Sequence, residues 1–143
     1  MGDPAGVGPE ICLRLLANAE MREVCVPIIF GDASILKRVA TACELPAPEK
    51  VIAAGEWQGA HAGIDAPAVY DIPTEGMDGV EAGVVSAVTG GAGFAYVEES
   101  IRAALAREID AVSTAPLNKE ALNAAGVPFP GHTEIFAAQT KAE

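Results

Sequence analysis

Cysteine, histidine and positive charge are scarce in this chain of 143 residues. Its three cysteines, odd in number and widely spaced, form neither a disulfide framework nor a CxxC metal knuckle, so a reducing cytoplasm is the simplest compartment. Cys12 and Cys43 fall on apolar helix faces and Cys25 in an apolar run, which makes all three packing residues rather than nucleophiles. Two histidines without an acid–histidine motif make no self-contained metal site. Nine basic residues against twenty acidic ones leave a net charge of −11, which opposes binding to nucleic acid or to an anionic membrane. Any anionic ligand must therefore meet a local positive site. No apolar run approaches the roughly 20 residues a membrane span requires. The first residues lack a basic stretch followed by an apolar one, so no signal peptide is expected.

What is present is apolar: half of the residues are hydrophobic, 20% are charged, and the mean hydropathy is +0.28. This composition suits a globular domain with a real core. Ile11, Cys12, Leu15, Leu16 and Ala19 recur at helical spacing and predict a helix over about Pro9–Met21, with Pro9 in its first turn. The continuous run Val24–Phe30, closed by Gly31-Asp32, predicts a strand buried on both faces. A second amphipathic helix through Ile35, Leu36, Val39, Ala42 and Cys43 ends before Pro46, and short strands follow near Val51–Ala53 and Ala68–Ile72. A Gly-rich stretch from Gly76 to Gly93 precedes a long helix whose Phe94, Val97, Ile101, Leu105 and Ile109 share one face. A strand is expected over Ile109–Ser113, then a short helix from Lys119 to Ala125 stopped by Gly126. Val127–His132 reads as a rigid loop, and Thr133 as the cap of a last helix from Glu134. Such alternation predicts a mainly parallel sheet flanked by helices.

Three segments could carry chemistry. In Gly2-Asp3-Pro4-Ala5-Gly6-Val7-Gly8-Pro9-Glu10, three glycines precede a helix whose free N–H groups could hold an anion, although a plain structural turn fits equally well. Gly90-Gly91-Ala92-Gly93 reads as backbone geometry before a helix. Ser113-Thr114-Ala115-Pro116-Leu117-Asn118-Lys119-Glu120 begins at the carboxyl end of a predicted strand, where open α/β sheets bind ligands. Asn118 and Lys119 there could bond a hydroxyl, carboxylate or phosphate; the plainer reading has Lys119 solvated and paired with Glu120. His132, held between Gly131 and a helix start, is poorly placed to fill a core, whereas His61 reads as an ordinary loop residue.

Taken together, Met1–Glu10, Ser113–Leu122 and Pro130-Gly131-His132-Thr133-Glu134 resemble the 4-hydroxythreonine-4-phosphate dehydrogenase family of pyridoxal phosphate biosynthesis, with the motifs in that family's order. The first motif is also similar to a segment of the isocitrate and isopropylmalate dehydrogenases, which share the fold. The resemblance implies NAD-dependent oxidation of a phosphorylated hydroxy acid followed by decarboxylation, with a divalent metal (Zn, Mg or Co) polarising its oxygens. It implies that His132 and Thr133 bind substrate, with Lys119 and Asn118 as further substrate contacts and Gly6 and Val7 as cofactor contacts. It implies a cytoplasmic homodimer. Family chains are longer, and their metal-binding histidines lie after the Gly-His-Thr-Glu motif, so residues 1–143 are expected to be the N-terminal α/β portion of a larger two-domain dehydrogenase, without metal ligands of their own. Two readings compete. One is a paralogous dehydrogenase of 4-phospho-D-threonate or erythronate, with a cis-dihydrodiol dehydrogenase as a more distant relative. The other is a non-catalytic fragment that only binds a ligand or a partner subunit.

Overall fold

A computed structural model describes residues 1–141. The elements in chain order are α1 (Gly8–Ala17), β1 (Ile28–Gly31), α2 (Ala33–Ala42), β2 (Val51–Ala53), α3 (Trp57–Ala60), β3 (Ala68–Asp71), α4 (Ala87–Leu105), α5 (Lys119–Ala124) and α6 (His132–Thr140). The three strands are parallel in the order β1-β3-β2, with Ile28 opposite Ala68 and Val51 opposite Val69. Helices flank this sheet, as the α/β alternation predicts. Among the described residues, no helix is long and apolar enough to cross a membrane.

The central strand, β3, buries Ala68, Val69 and Tyr70, as a strand covered on both faces must. Phe30, Tyr70 and Trp57 meet over the sheet, with ring centroids 4.7 to 5.4 Å apart. The indole of Trp57 is 1% exposed, and its Nε1 donates to Glu108 Oε2 at 2.7 Å, which satisfies its one polar atom. At the carboxyl ends of the strands two aspartates tie loops down. Asp32 caps α2 by accepting from the Ser34 and Ile35 amides and also accepts from the Thr74 amide; Asp71 accepts from the Ala33 amide.

The first residues extend this layer. Met1 donates its amine to the Phe30 carbonyl at 2.8 Å, and the Asp3 amide donates to the Pro116 carbonyl at 2.9 Å. Residues 1–3 therefore run between β1 and the segment that leads into α5. The approach is so close that a side chain on Gly2, at φ +76°, would strike the Pro116 carbonyl.

Several boundaries differ from the sequence reading, each for a local reason. The first helix stops at Ala17 because the Asn18 side chain accepts from the Glu20 amide at 2.9 Å and starts a separate 3-10 turn over Glu20–Glu23. The strand expected from Val24 begins only at Ile28, after Pro27; Val24 is 80% exposed and Cys25 is exposed too. Cys43 is also exposed, which leaves Cys12 as the buried cysteine. The glycines at 90, 91 and 93 lie inside α4 rather than before it, since the Ser86 hydroxyl accepts from the Thr89 amide and starts the helix earlier. Gly90 serves packing: a methyl there would collide with the Ala121 carbonyl, so its absence lets α5 lie directly on α4. The helix ends at Leu105, which is 60% exposed, and Ile109 lies beyond it.

The strand expected over Ile109–Ser113 is not formed. That segment is irregular, and its one backbone bond to the body, Asp3 to Pro116, lies just past it. Asp110, Ala111, Ser113 and Thr114 are exposed, and no neighbour among the described residues completes a ladder there. The last helix begins at His132 rather than Glu134, its N-cap is Gly131, and no side chain, Thr133 included, caps it. Gly126, at φ +72°, follows the end of α5 as expected.

Candidate functional site

The Gly-His-Thr-Glu motif sits at the start of α6, and this helix is pinned to α4 through Ile135, which is fully buried with Val97 and Ile101. Its first turn faces the irregular segment before α5. Between them lies an open cleft of about 470 Å³ lined by Val112, Thr114, His132, Thr133, Phe136, Ala137 and Thr140. Two of the expected site residues, His132 and Thr133, are thus together. Amides in the first turn of α6 lack helical acceptors, and the helix dipole favours negative charge nearby.

His132 is half-buried, and its Nε2 atom is shielded from solvent without a hydrogen-bond partner among the described residues. Burial holds its pKa below the ordinary value of 6.5; the Ala115 backbone opposes that shift and the chain's amino terminus reinforces it. The imidazole is therefore neutral at pH 7. A buried ring nitrogen with no partner costs stability.

The other expected contacts lie elsewhere. Lys119 begins α5 and opens onto a neighbouring cleft of about 410 Å³ with Asn123, Val127, Pro128, Phe129 and Pro130. It forms no ion pair with Glu120 or with any other described residue. Its Cε approaches within 3.9 Å of the point where a Gly131 side chain would start, so Lys119 lies close to the Gly131-His132 turn although it lines the neighbouring cleft. Asn118 is the N-cap of α5: its side-chain oxygen accepts from the Glu120 and Ala121 amides at 2.9 and 3.1 Å. Only its amide NH₂ is left for a ligand. Gly6 and Val7 form an exposed turn before α1 that does not line the cleft, and the Gly6 amide already donates to the Asp3 carbonyl. Thr114 was visible within the Ser113–Glu120 motif, but nothing in the spacing separates it from its neighbours as a cleft residue.

These motifs can be placed among known proteins. A profile of the family described as Pyridoxal phosphate biosynthetic protein PdxA matches residues 23–143. The chain belongs to this family. Over 138 residues it is 40% identical to the D-threonate 4-phosphate dehydrogenase of Cupriavidus necator, covering 96% of this chain and 40% of that protein. Its fold superimposes on a 4-hydroxythreonine-4-phosphate dehydrogenase from Klebsiella pneumoniae with a TM-score of 0.86 at 33% identity, covering all of this chain and 43% of that one. The corresponding enzyme from Burkholderia phymatum gives 0.83 at 36% identity, with 42% of that chain covered. The PdxA-family chain described here thus spans about two fifths of the length of the relatives it matches. Among its described residues no group of three or more His, Cys, Asp or Glu side chains could hold a metal ion, and the cleft offers one imidazole and no carboxylate. The described residues do not make a divalent-metal site.

Proposed function

We propose that this chain supplies the His132–Thr133 cleft of an NAD-dependent, metal-dependent oxidoreductase that acts on a four-carbon phosphorylated hydroxy acid. The observation that carries the reading is the Gly-His-Thr-Glu turn, set at a helix start in a cleft, in a chain whose PdxA-family relatives are named as dehydrogenases of such acids. D-Threonate 4-phosphate is the substrate favoured by the 40% identity to the C. necator protein. The second reading, 4-phosphohydroxy-L-threonine in vitamin B6 biosynthesis, is supported by the family's description and by the names of the solved relatives. The two acids differ in a hydroxyl versus an amino group beside the carboxylate, a difference that hydrogen bonds must read.

In this proposal the chain's own residues bind and orient. A net charge of −11 makes the average field hostile to a phosphorylated acid, so binding depends on convergent local donors. The Thr133 hydroxyl and the free amides of the first turn of α6 supply them, and the neutral imidazole adds a polar group without adding charge. Lys119, in the neighbouring cleft, contributes positive potential. Cofactor and metal ligands come from outside the described residues, so the 143-residue chain alone is expected to form no NADH.

The test is a chimera in which this chain replaces the matching two fifths of the C. necator protein. It should reduce NAD with D-threonate 4-phosphate, and His132→Ala should lower kcat/KM by roughly tenfold to a thousandfold, the effect of losing one buried polar contact. Near-normal kcat/KM in that variant would reduce His132 to a structural residue of the turn. Turnover by the chain alone at the rate of the chimera would refute the need for the rest of the family length.

A further inference from the structure

The chain has ten serine and threonine residues, and most of their hydroxyls are engaged within the fold. Ser34 bonds Asp32; Ser86 and Thr89 bond each other; Thr41, Ser100 and Thr140 donate to the carbonyls of Lys37, Val97 and Phe136. The hydroxyls of Thr114 and Thr133 make no such bond among the described residues, and both line the His132 cleft. Thr140 lines it as well, but its hydroxyl is committed to Phe136 at 2.8 Å. The cleft is therefore two-ended. Thr114, His132 and Thr133 form a polar end with free hydrogen-bonding capacity; Phe136, Ala137 and Val112 form an apolar wall.

Val112 and Thr114 reach the cleft while Ser113 between them does not, the alternation of an extended backbone. Thr114 thus enters from the irregular segment before α5, opposite the helix that carries His132 and Thr133. We infer that Thr114 is a ligand-contacting residue of this cleft, its hydroxyl bonding a hydroxyl or phosphate oxygen of the phosphorylated acid while the carbon chain lies toward Phe136. The inference rests on the function proposed above and adds a third side chain from a different segment. A hydroxyl both donates and accepts, so it can match either kind of oxygen.

The test is calorimetric titration of the 143-residue chain with D-threonate 4-phosphate. Thr114→Val, which keeps the shape and removes the hydroxyl, should weaken binding about fivefold or more, as loss of one hydrogen bond does. Thr114→Ser should bind within about twofold of the parent, because a structural role would depend on shape and the proposed role depends on the hydroxyl. Ser113→Ala, on the opposite side of the backbone, should leave binding unchanged. If His132→Ala weakens binding while Thr114→Val does not, the assignment of Thr114 fails and the proposed function stands. A parent chain that does not bind the acid overturns the assignment of Thr114 alone, and binding with no effect of either substitution overturns both.

Discussion

The two apolar clusters of this molecule are of very different size, and the cleft belongs to the smaller. Around the sheet, nineteen buried residues from Met1 to Ala103 form one continuous core centred on Phe30, Trp57 and Tyr70. Under α6 there are three, Val97, Ile101 and Ile135, with Phe94, Leu117, Phe129 and Phe136 partly covered beside them. Stability is not uniform across a fold, and segments with few buried contacts open at lower free energy than the core. The Gly-His-Thr-Glu turn thus hangs on a single fully buried side chain of its own helix, while the sheet is held from several sides.

The sharpest check on this contrast is Trp57→Ala. It removes the largest fully buried side chain and the bond to Glu108, and should cost about 3–5 kcal/mol, read as a lower urea midpoint for the whole chain by circular dichroism. Ile135→Ala should cost about 2–4 kcal/mol in a different manner. Hydrogen exchange should show α6 losing protection while the amides of β1 and β3 keep theirs. Equal loss in both regions would mean that the two clusters unfold as one, and the comparison would break.

The smallest expected effect concerns protons. His132 has a folded-state pKa below its unfolded value, so the unfolded chain binds the proton first on acidification. Its contribution is fully present above about pH 6.5, the unfolded value, and is lost as the pH falls through the lower folded value. Stability followed across this range should decline less steeply in His132→Gln than in the parent. Parallel pH profiles for the two chains would show that burial does not hold the imidazole neutral.

The same contrast explains what could be read without a structure. Short strands at Val51–Ala53 and Ala68–Asp71 and the helix that Asp32 caps carry their own signals, because apolar runs and breakers there coincide with a core that buries them. Ile109–Ser113 has an equally strand-like pattern but no ladder partner, and propensity without a neighbour does not make a strand. The glycines of α4 misled in the opposite sense. Glycine before a helix and glycine packed between two helices look alike in sequence, and only the proximity of Ala121 distinguishes them. The Gly-His-Thr-Glu and Asn-Lys motifs were both legible, but their division between two clefts was not. Lys119 and His132 line two neighbouring clefts on either side of the Pro130-Gly131 turn, a placement that spacing along the chain does not reveal.

The irregular edge through Ala111, Ser113 and Thr114 bears on how the molecule behaves in a test tube. Exposed, unpaired backbone is a template onto which another extended strand can add. Mutual repulsion from a charge of −11 on each copy opposes such addition. That repulsion reaches about 30 Å at 0.01 M salt and only about 10 Å at 0.1 M. Colloidal stability of this chain is thus set by the buffer as much as by the fold, and desalting, rather than added salt, is the condition that keeps it dispersed.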